Sequence, residues 1–247
     1  MQKGHGNHRR GSADALSKGF IQSLCGEFQK HNSIDPAYYE NIDVKRGLRN
    51  ADGTGVMAGI TQIGNVQGYY MQDGEKVPME GRLIYRGINV EELIRGFVAD
   101  DRPGFEETVY LLLFGCLPDR AALKKFRRIL GDYRCIPPNF VRDIIMKKPS
   151  RDIMNAMARS VLMLYSYDNR ADDISLPNVL RQSLQLISEF PLLAVYNYQA
   201  YAHYHQGGSL IIHAPDPTLS TAECILHLLR ADQQYTPLEA QLLDLAL

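Results

Sequence analysis

Amphipathic helical periodicity recurs along most of this chain and limits its folds more than any other feature. In several segments apolar residues return every three or four positions, the spacing that places them on one face of a helix. Two such stripes consist of Leu16, Phe20, Ile21, Leu24 and Phe28, and of Leu123, Phe126, Ile129 and Leu130. Each stripe needs an apolar partner, so the pattern predicts a mainly α-helical protein whose helices pack on one another.

Start and stop signals define three of these helices. The segment PGFEETVYLLLFGCLP places Pro103 near a helix start, Gly115 at the C′ position and Pro118 just beyond. Capping boxes of the S/T-x-x-E type occur at 220–223 and 236–239. The second box opens a helix whose apolar stripe consists of Leu238, Leu242, Leu243, Leu245 and Leu247.

Three further segments also have helical patterns. The segment PPNFVRDIIMKKP predicts a short helix between prolines, and Ser150 is the predicted cap of a longer one. The apolar face of that longer helix consists of Met154, Met157, Val161 and Leu164. A long helical pattern at 178–205 contains Pro191, which predicts either a kink or two abutting helices.

The residue composition changes between residues 55 and 85. This stretch is rich in Gly and β-forming residues, and it contains the dipeptide Asp73-Gly74. Asp-Gly between two β-rich runs is a strong signal for a two-residue hairpin turn. The sequence therefore predicts a small β-hairpin region within an otherwise helical protein.

Composition excludes several classes of partner. The chain has 247 residues, 45% of them hydrophobic and 22% charged, which is ordinary for a globular protein of one large or two modest domains. Its net charge of -1 gives no basic excess, so we expect neither nucleic acid nor an anionic membrane as partner. The longest apolar run, at 109–114, is too short to cross a bilayer.

The ends and the cysteines indicate the compartment. The first 20 residues lack the apolar core of a secretory signal and are expected to form a disordered arm or a tag remnant. The four cysteines show no C-x-x-C spacing, which favours reduced structural thiols over a disulfide framework. We therefore expect a cytoplasmic protein.

The histidines alone predict no catalytic set. His203 and His205 are two positions apart, which puts them on different faces of a helix, so no metal site is expected. His213 lies near Asp216, and this spacing suits either an oriented imidazole or a histidine that holds a loop. His227 lies within an apolar helix and is expected in a core or an interface.

Other motifs for chemistry are lacking. The sequence contains no G-x-S-x-G, P-loop, H-E-x-x-H or dinucleotide fingerprint. Glu106 and Glu107 are adjacent carboxylates, but they fall in the first turn of a predicted helix, where the helix dipole favours negative charge.

Two stretches resemble the citrate synthase family. GRLIYRGINVEEL at 81–93 matches the family's G-x-L-x-Y-R-G segment, and FEETVYLLLFGCLP at 105–118 matches the acidic helix that ends in Gly and Pro. The likeness extends from about Gly47 to Leu247 and includes GLR at 47–49, SLIIHAPDPTLSTAECILHLLR at 209–230 and LLDLAL at 242–247. It implies a mainly α, citrate synthase-like helical fold with a small N-terminal β-hairpin region, incomplete at the C-terminus.

The resemblance implies an acyltransferase that condenses acetyl-CoA with oxaloacetate to citrate and CoA. Two histidines and an aspartate carry out this chemistry in the family, with acetyl-CoA as co-substrate and no permanently bound cofactor. There the LLDLAL-like sequence precedes an H-x-x-H-G/E-G-G-N segment, whereas this sequence ends at Leu247. We therefore expect an N-terminal portion without catalytic residues that is inactive alone, and we assign no catalytic role to His213.

The resemblance also implies one binding residue and one mode of assembly. Arg49 is similar in place to a family arginine that approaches the CoA phosphates, a role for which the planar guanidinium is suited. A solvated arginine near a turn fits the sequence as well. The family forms homodimers through helix packing. We expect an N-terminal arm and first helix at 1–34, and at 35–247 the N-terminal part of the large helical domain.

Two alternatives remain open on the sequence. One is a non-catalytic dimerisation or interaction module that keeps the same fold. The other is a 2-methylcitrate synthase-like enzyme, which uses propionyl-CoA, because no acyl-selecting residues are recognisable in this sequence.

Overall fold

The computed structural model describes residues 19, 21–40, 49 and 59–247. The predicted N-terminal arm, Leu16, Phe20 and the Gly47-Leu48 pair lie outside them. The described residues are mainly helical with one small antiparallel sheet, as the sequence predicts. They divide into two units. The hairpin unit comprises Gly26–Arg102 and Thr108–Leu117, and the helical unit comprises the described residues up to Cys25, Pro103–Glu107 and Pro118–Leu247.

The hairpin unit contains the sheet and its neighbouring helices. Helix α1 is described from residue 21 to residue 30, and its last five residues, 26–30, belong to this unit. The elements that follow are a 3-10 helix (Pro36–Tyr39), β1 (Gly64–Gln72), β2 (Glu75–Tyr85), β3 (Ile88–Asn89) and α2 (Val90–Ala99). The strand order is β1-β2-β3, with both pairs antiparallel. A small core joins Leu93 and Phe97 of α2 to Leu111, with Tyr85 and Ile88 packed against it.

The hairpin turn forms at the predicted dipeptide. Gln72 pairs with Glu75 across the turn, and Asp73 and Gly74 have φ values of 53° and 85°. Positive φ at both central residues is the signature of a type I′ turn, whose twist matches that of the flanking strands. The predicted β-hairpin is therefore confirmed.

The helical unit is built around one long helix. Its elements are the start of α3 (Phe105–Phe114), α4 (Arg120–Tyr133), a π-helix (Val141–Ile145), α5 (Ile153–Tyr165), α6 (Leu176–Gln206), α7 (Thr221–Leu229) and α8 (Pro237–Ala246). Helix α6 packs against α4, α5, α7 and the π-helix. The core around it consists of Phe140, Ile145, Leu164, Leu192, Leu193, Val195, Tyr196, Ala200, Cys224 and Leu228.

Helix α6 runs unbroken through Pro191. Two abutting helices, one of the two predicted alternatives, are therefore not observed. The flanking Leu192 and Leu193 are fully buried, so packing holds the helix together where the proline removes one backbone hydrogen bond. The helix ends at Gly207, whose φ of 74° is the left-handed conformation expected at C′.

The start of α5 differs from the prediction. The cap is Asp152, whose side chain accepts a hydrogen bond from the backbone N–H of Asn155 at 3.0 Å. Ser150 instead accepts from the backbone N–H of Asp152, which makes a turn before the helix. The buried face consists of Ala156, Ser160 and Leu164, whereas Met154, predicted in the core, is 73% exposed. The predicted short helix between prolines is a single π-type turn.

A carboxyl group lies in the core of α6. Glu189 is 1% exposed, and its Oε1 accepts a hydrogen bond from Gln185 Nε2 at 2.9 Å, while its Oε2 is buried with no hydrogen-bond partner among the described residues. Burial raises the pKa of Glu189 to about 7, because the charged form loses its hydration.

This pKa predicts a pH-dependent stability. The folded-state pKa lies above the unfolded value of 4.5, so the folded state holds the proton more tightly. The contribution of Glu189 to stability is therefore largest below about pH 4.5 and is lost as the pH rises through 7. We expect Glu189→Gln to be more stable than wild type at pH 8, by up to roughly 3 kcal/mol, with the difference shrinking at pH 5.

Urea denaturation at pH 5 and pH 8 checks this. Glu239→Gln is a control of opposite sign, because hydrogen bonds from Arg230 and Thr236 lower the pKa of Glu239 to about 2, so its charged form stabilises the fold. That variant should be less stable than wild type at pH 8. Equal stability of Glu189→Gln and wild type at pH 8 would contradict the prediction.

Candidate functional site

The segment that carries the family motif forms a tight turn between β2 and β3. Arg86 and Gly87 both have left-handed backbone conformations, with φ values of 48° and 86°. Glycine adopts this conformation without steric cost, whereas arginine does so rarely. The turn directs the Arg86 side chain onto two backbone carbonyls.

Arg86 acts as a clamp on the backbone. Its Nε and Nη2 donate to the carbonyl of Leu112 at 3.1 and 2.8 Å, and its Nη1 donates to the carbonyl of His31 at 3.1 Å. Leu112 lies in the last turn of α3, where helix carbonyls lack partners within the helix. The planar guanidinium can reach both carbonyls at once, which a lysine cannot do. The motif arginine therefore fixes the framework.

Two structural features require a glycine at the end of α3. Gly115 has a φ of 76°, and its N–H donates to the carbonyl of Leu111 at 2.8 Å, so it is the C′ residue that the sequence predicts. A Cβ at this position would also lie 2.7 Å from Cγ of His31. Both the backbone conformation and the close approach exclude larger residues.

The aspartate of LLDLAL caps the start of α3. Asp244 Oδ2 accepts from the backbone N–H of Gly104 at 2.5 Å, and its Oδ1 accepts from that of Phe105 at 3.4 Å. A carboxylate at a helix N-terminus accepts hydrogen bonds from unpaired N–H groups and interacts favourably with the helix dipole. Asp244 is 8% exposed, and this burial raises its pKa.

The predicted leucine stripe of α8 is not a core face. Asp244 is the buried residue of this helix. The exposed leucines are Leu238, Leu242, Leu245 and Leu247. Helix α8 buries Asp244, the residue that caps α3, and the hydrophobic periodicity of the sequence alone could not predict this.

The first turn of α3 contains a buried carboxylate with a cationic partner. Glu106 Oε1 accepts from the backbone N–H and the hydroxyl of Thr221 at 2.7 and 2.8 Å, and lies 3.6 Å from Nη2 of Arg134. The side chains of Glu106 and Arg134 are 1% and 2% exposed. Arg134 also donates to the carbonyl of Leu219. The predicted dipole contribution of Glu106 is therefore secondary to a buried network that sequence reasoning missed.

His213 holds a loop in place. Its Nε2 is 3.0 Å from the carbonyl of Arg230, and its own carbonyl accepts from the hydroxyl of Tyr196 at 2.7 Å. Asp216 accepts from the N–H and hydroxyl of Thr218, and in the described part of the chain no hydrogen bond joins it to His213. Of the two predicted interpretations, the structure favours the loop-holding histidine.

The remaining histidines of this region also contact their surroundings. His227 Nε2 is 3.1 Å from Gln233 Nε2, and His203 Nδ1 is 2.8 Å from the carbonyl of Gly208. Within residues 21–40 and 59–247, and at 19 and 49, no group of three or more His, Cys, Asp or Glu side chains is placed to hold a metal ion.

Arg49, the predicted CoA-binding residue, is exposed. Its neighbours at 41–48 and 50–58 lie outside the described residues, so its CoA-binding role stays a prediction. Among the helices that the structure describes, none is long and apolar enough to cross a membrane.

Comparison with known proteins identifies the family. A sequence profile described as "Citrate synthase, C-terminal domain" matches residues 50–247. The chain belongs to the citrate synthase family. It is similar to the citrate synthase of Haloferax volcanii, with 28% identity over 172 residues that cover 68% of this chain and 42% of that protein. It also matches the citrate synthase of Saccharolobus solfataricus, with 30% identity over 96 residues, 39% of this chain and 23% of that protein.

A solved structure agrees in fold. The crystal structure of citrate synthase from Pyrobaculum aerophilum matches with a TM-score of 0.63 and 23% identity, over 84% of this chain and 50% of that chain. The predicted resemblance and the citrate synthase-like helical fold are thus confirmed. This citrate synthase family member spans half or less of the length of these relatives. The motif residues Arg86, Gly115 and Asp244 hold its backbone in place.

Proposed function

We propose that this chain contributes the helical framework of an acyltransferase that condenses acetyl-CoA, oxaloacetate and water to citrate and CoA. The observation that carries the proposal is the family match over residues 50–247. The fold supports it, because Arg86 and Asp244 of the motif segments bind backbone groups in the last and first turns of α3. The chain spans half or less of the length of the relatives that it matches, so we propose a share in this activity and not the whole of it.

The chemistry requires groups that the described residues supply poorly. A base must remove a proton from the acetyl methyl group, and a donor must stabilise the charge on the thioester oxygen while the carbon adds to the ketone. Water then cleaves the thioester and releases CoA. His203, His213 and His227 each have a ring nitrogen within hydrogen-bond distance of protein atoms. We therefore assign none of these three histidines a catalytic role and propose that the chain alone does not turn over.

A thiol-release assay tests this proposal. Purified chain, shown to be helical by circular dichroism, is incubated with acetyl-CoA and oxaloacetate, and free CoA thiol is measured over time. We expect no oxaloacetate-dependent release. Release above the rate without protein would overturn the proposed inactivity, and His213→Ala would be the first variant to assay. Propionyl-CoA in a parallel reaction tests the 2-methylcitrate alternative.

We further propose that Arg49 contacts the phosphates of CoA. Its exposed guanidinium can bind two phosphate oxygens at once. Isothermal titration with CoA should show binding that Arg49→Gln weakens by about tenfold, the loss expected for one charge-assisted contact. Arg120→Gln, on the exposed start of α4, is the charge-matched control and should bind as wild type does. Equal weakening by both variants would point to a general charge effect and against Arg49.

We propose a homodimer that packs through α5. Met154, Ala158, Leu162 and Tyr165 follow one another at helical spacing and are exposed, with Met154 and Leu162 both 73% exposed. An exposed apolar stripe of this kind marks an interaction surface. A second copy is the fitting partner, because a helix stripe pairs with itself about a two-fold axis. The same stripe favours the second candidate function, a non-catalytic dimerisation module.

Leu162→Glu is expected to convert the dimer into a monomer. The change places a charge in the centre of the proposed contact, where it would be desolvated without a partner. Light scattering coupled to size-exclusion chromatography measures the mass. Ile174→Glu is the matched control, because Ile174 is 89% exposed in the loop before α6 and should leave the mass unchanged. A wild-type chain that is monomeric at all concentrations would contradict the dimer.

We also propose a reducing, cytoplasmic setting. Cys25, Cys116 and Cys224 form no disulfide within the described residues, and Cys116 is exposed. Exposed free thiols persist where the cell keeps them reduced.

A further inference from the structure

A cleft of about 410 Å³ lies in the helical unit, between α5, α6 and the π-helix. Its lining includes Lys147, Lys148, Arg159, Leu162, Met163 and Asn197. Pockets of 300–1,000 Å³ accommodate small molecules. The cleft is therefore large enough for a compact ligand, and its walls determine which one.

The walls carry an excess of positive charge. Lys147, Lys148 and Arg159 face one carboxylate, Asp143. That carboxylate already accepts two hydrogen bonds from Arg142, at 2.7 and 2.8 Å. Among the described residues none of the three cleft cations forms a salt bridge, although Lys147 is near enough to Asp143 to help lower the pKa of that carboxyl group. An anion would therefore find three cations whose charge is not neutralised by a direct partner.

Arg159 is held in position for such an anion. Its Nη2 donates to the carbonyl of Lys148 at 2.9 Å, which fixes the guanidinium against the segment that carries both lysines. Its Nε is buried and has no hydrogen-bond partner among the described residues. A buried donor without a partner costs free energy, and a ligand oxygen would remove that cost once a small movement of the guanidinium exposed the Nε to the cleft.

The floor of the cleft is polar and rigid. Asn197 Nδ2 donates to Ser160 Oγ at 3.1 Å and to the carbonyl of Leu193 at 2.8 Å, while Ser160 Oγ donates to the carbonyl of Ala156 at 2.9 Å. Ser160 and Asn197 are 2% and 5% exposed. These bonds tie α5 to α6 and keep the cleft shape fixed.

We propose that this cleft binds a small phosphate ester. A phosphate group has nearly two negative charges and three acceptor oxygens at neutral pH, which matches one guanidinium and two ammonium groups. Met163 and Ile144 give one wall an apolar surface for the carbon part of the ester. The site goes beyond the proposed function and does not include Arg49, although it shares Leu162 with the proposed dimer contact.

Isothermal titration at constant ionic strength tests the site with two probes, inorganic phosphate and glycerol 2-phosphate. We expect saturable binding of both, with the ester tighter. Arg159→Gln should weaken binding by about tenfold. Lys147→Gln with Lys148→Gln should weaken it similarly, and circular dichroism should show that both proteins remain helical.

Matched controls decide the outcome. Lys124→Gln and Lys125→Gln change exposed cations on α4, outside the cleft, and should bind both probes as wild type does. The double lysine variant keeps the test valid if Arg159→Gln fails to fold, because Lys147 and Lys148 are exposed. Absence of saturable binding would overturn the proposal. So would unchanged binding in the double variant, or equal weakening by the α4 variants.

Discussion

Glu106→Ala is expected to destabilise the helical unit by about 3–5 kcal/mol, the cost of leaving a buried charge without its partner. Glu106 neutralises Arg134, and it also accepts the N–H and hydroxyl of Thr221. Without the carboxylate, these donors would remain buried and unpaired. Helix α7 would then lose one of the contacts that hold its first turn, while its capping box at Ser220 would remain.

Urea denaturation followed by circular dichroism measures this loss. Glu91→Ala is the matched control, because Glu91 is also in the first turn of a helix but forms an exposed ion pair with Arg95. Its removal should cost less than about 1 kcal/mol. Replacing the whole pair, by Glu106→Leu with Arg134→Met, should recover much of the lost stability. A loss below 1 kcal/mol for Glu106→Ala would show that the network contributes little.

Gly131→Ala is expected to cost about 3 kcal/mol or more, although alanine is the better helix former. Gly131 lies in α4, and a Cβ there would be 2.0 Å from the carbonyl oxygen of Pro217. Contacts below 3.0 Å are essentially never made by real Cβ atoms, and the obstructing atom is backbone. Either α4 or the loop before α7 must therefore move.

Gly26→Ala is the control for this change. Gly26 lies in α1, and a Cβ there would meet nothing within 4 Å. The same substitution should stabilise the protein by about 0.5–1 kcal/mol, because it reduces the freedom of the unfolded chain. Thermal melts of both variants give effects of opposite sign if the close approach is real. A stabilised Gly131→Ala protein would refute it.

Local signals allowed much of the fold to be predicted. The capping boxes at Ser220 and Thr236, the C′ glycine at 115 and the turn at Asp73-Gly74 each depend on residues within a few positions of one another. Such features depend on short-range sterics and hydrogen bonds, so the residue types at a few neighbouring positions are enough to predict them. The sequence predicts the cap of α5 at Ser150, two residues before the observed cap at Asp152, because serine and aspartate are both good capping residues.

The long-range contacts could not be predicted in the same way. In the sequence, Asp244 is a polar residue in a leucine-rich helix. Only the fold shows that its carboxylate accepts a hydrogen bond from the backbone N–H of Gly104. Likewise, Glu106 and Thr221 are 115 positions apart, and no periodicity relates them. The family motif located the Arg86 segment, but its role as a backbone clamp emerged only from the positions of Leu112 and His31.

The cap on α3 affects the order in which parts of the chain can fold during synthesis. Gly104 and Asp244 are separated by 140 positions, so during synthesis α3 leaves the ribosome long before its capping carboxylate exists. Until then its first N–H groups must bond to water, and the helix end can fray. Closing this contact requires a long loop to be ordered, which makes it a late event in folding. Nascent chains that have not yet reached α8 should therefore expose the start of α3 to proteases and chaperones.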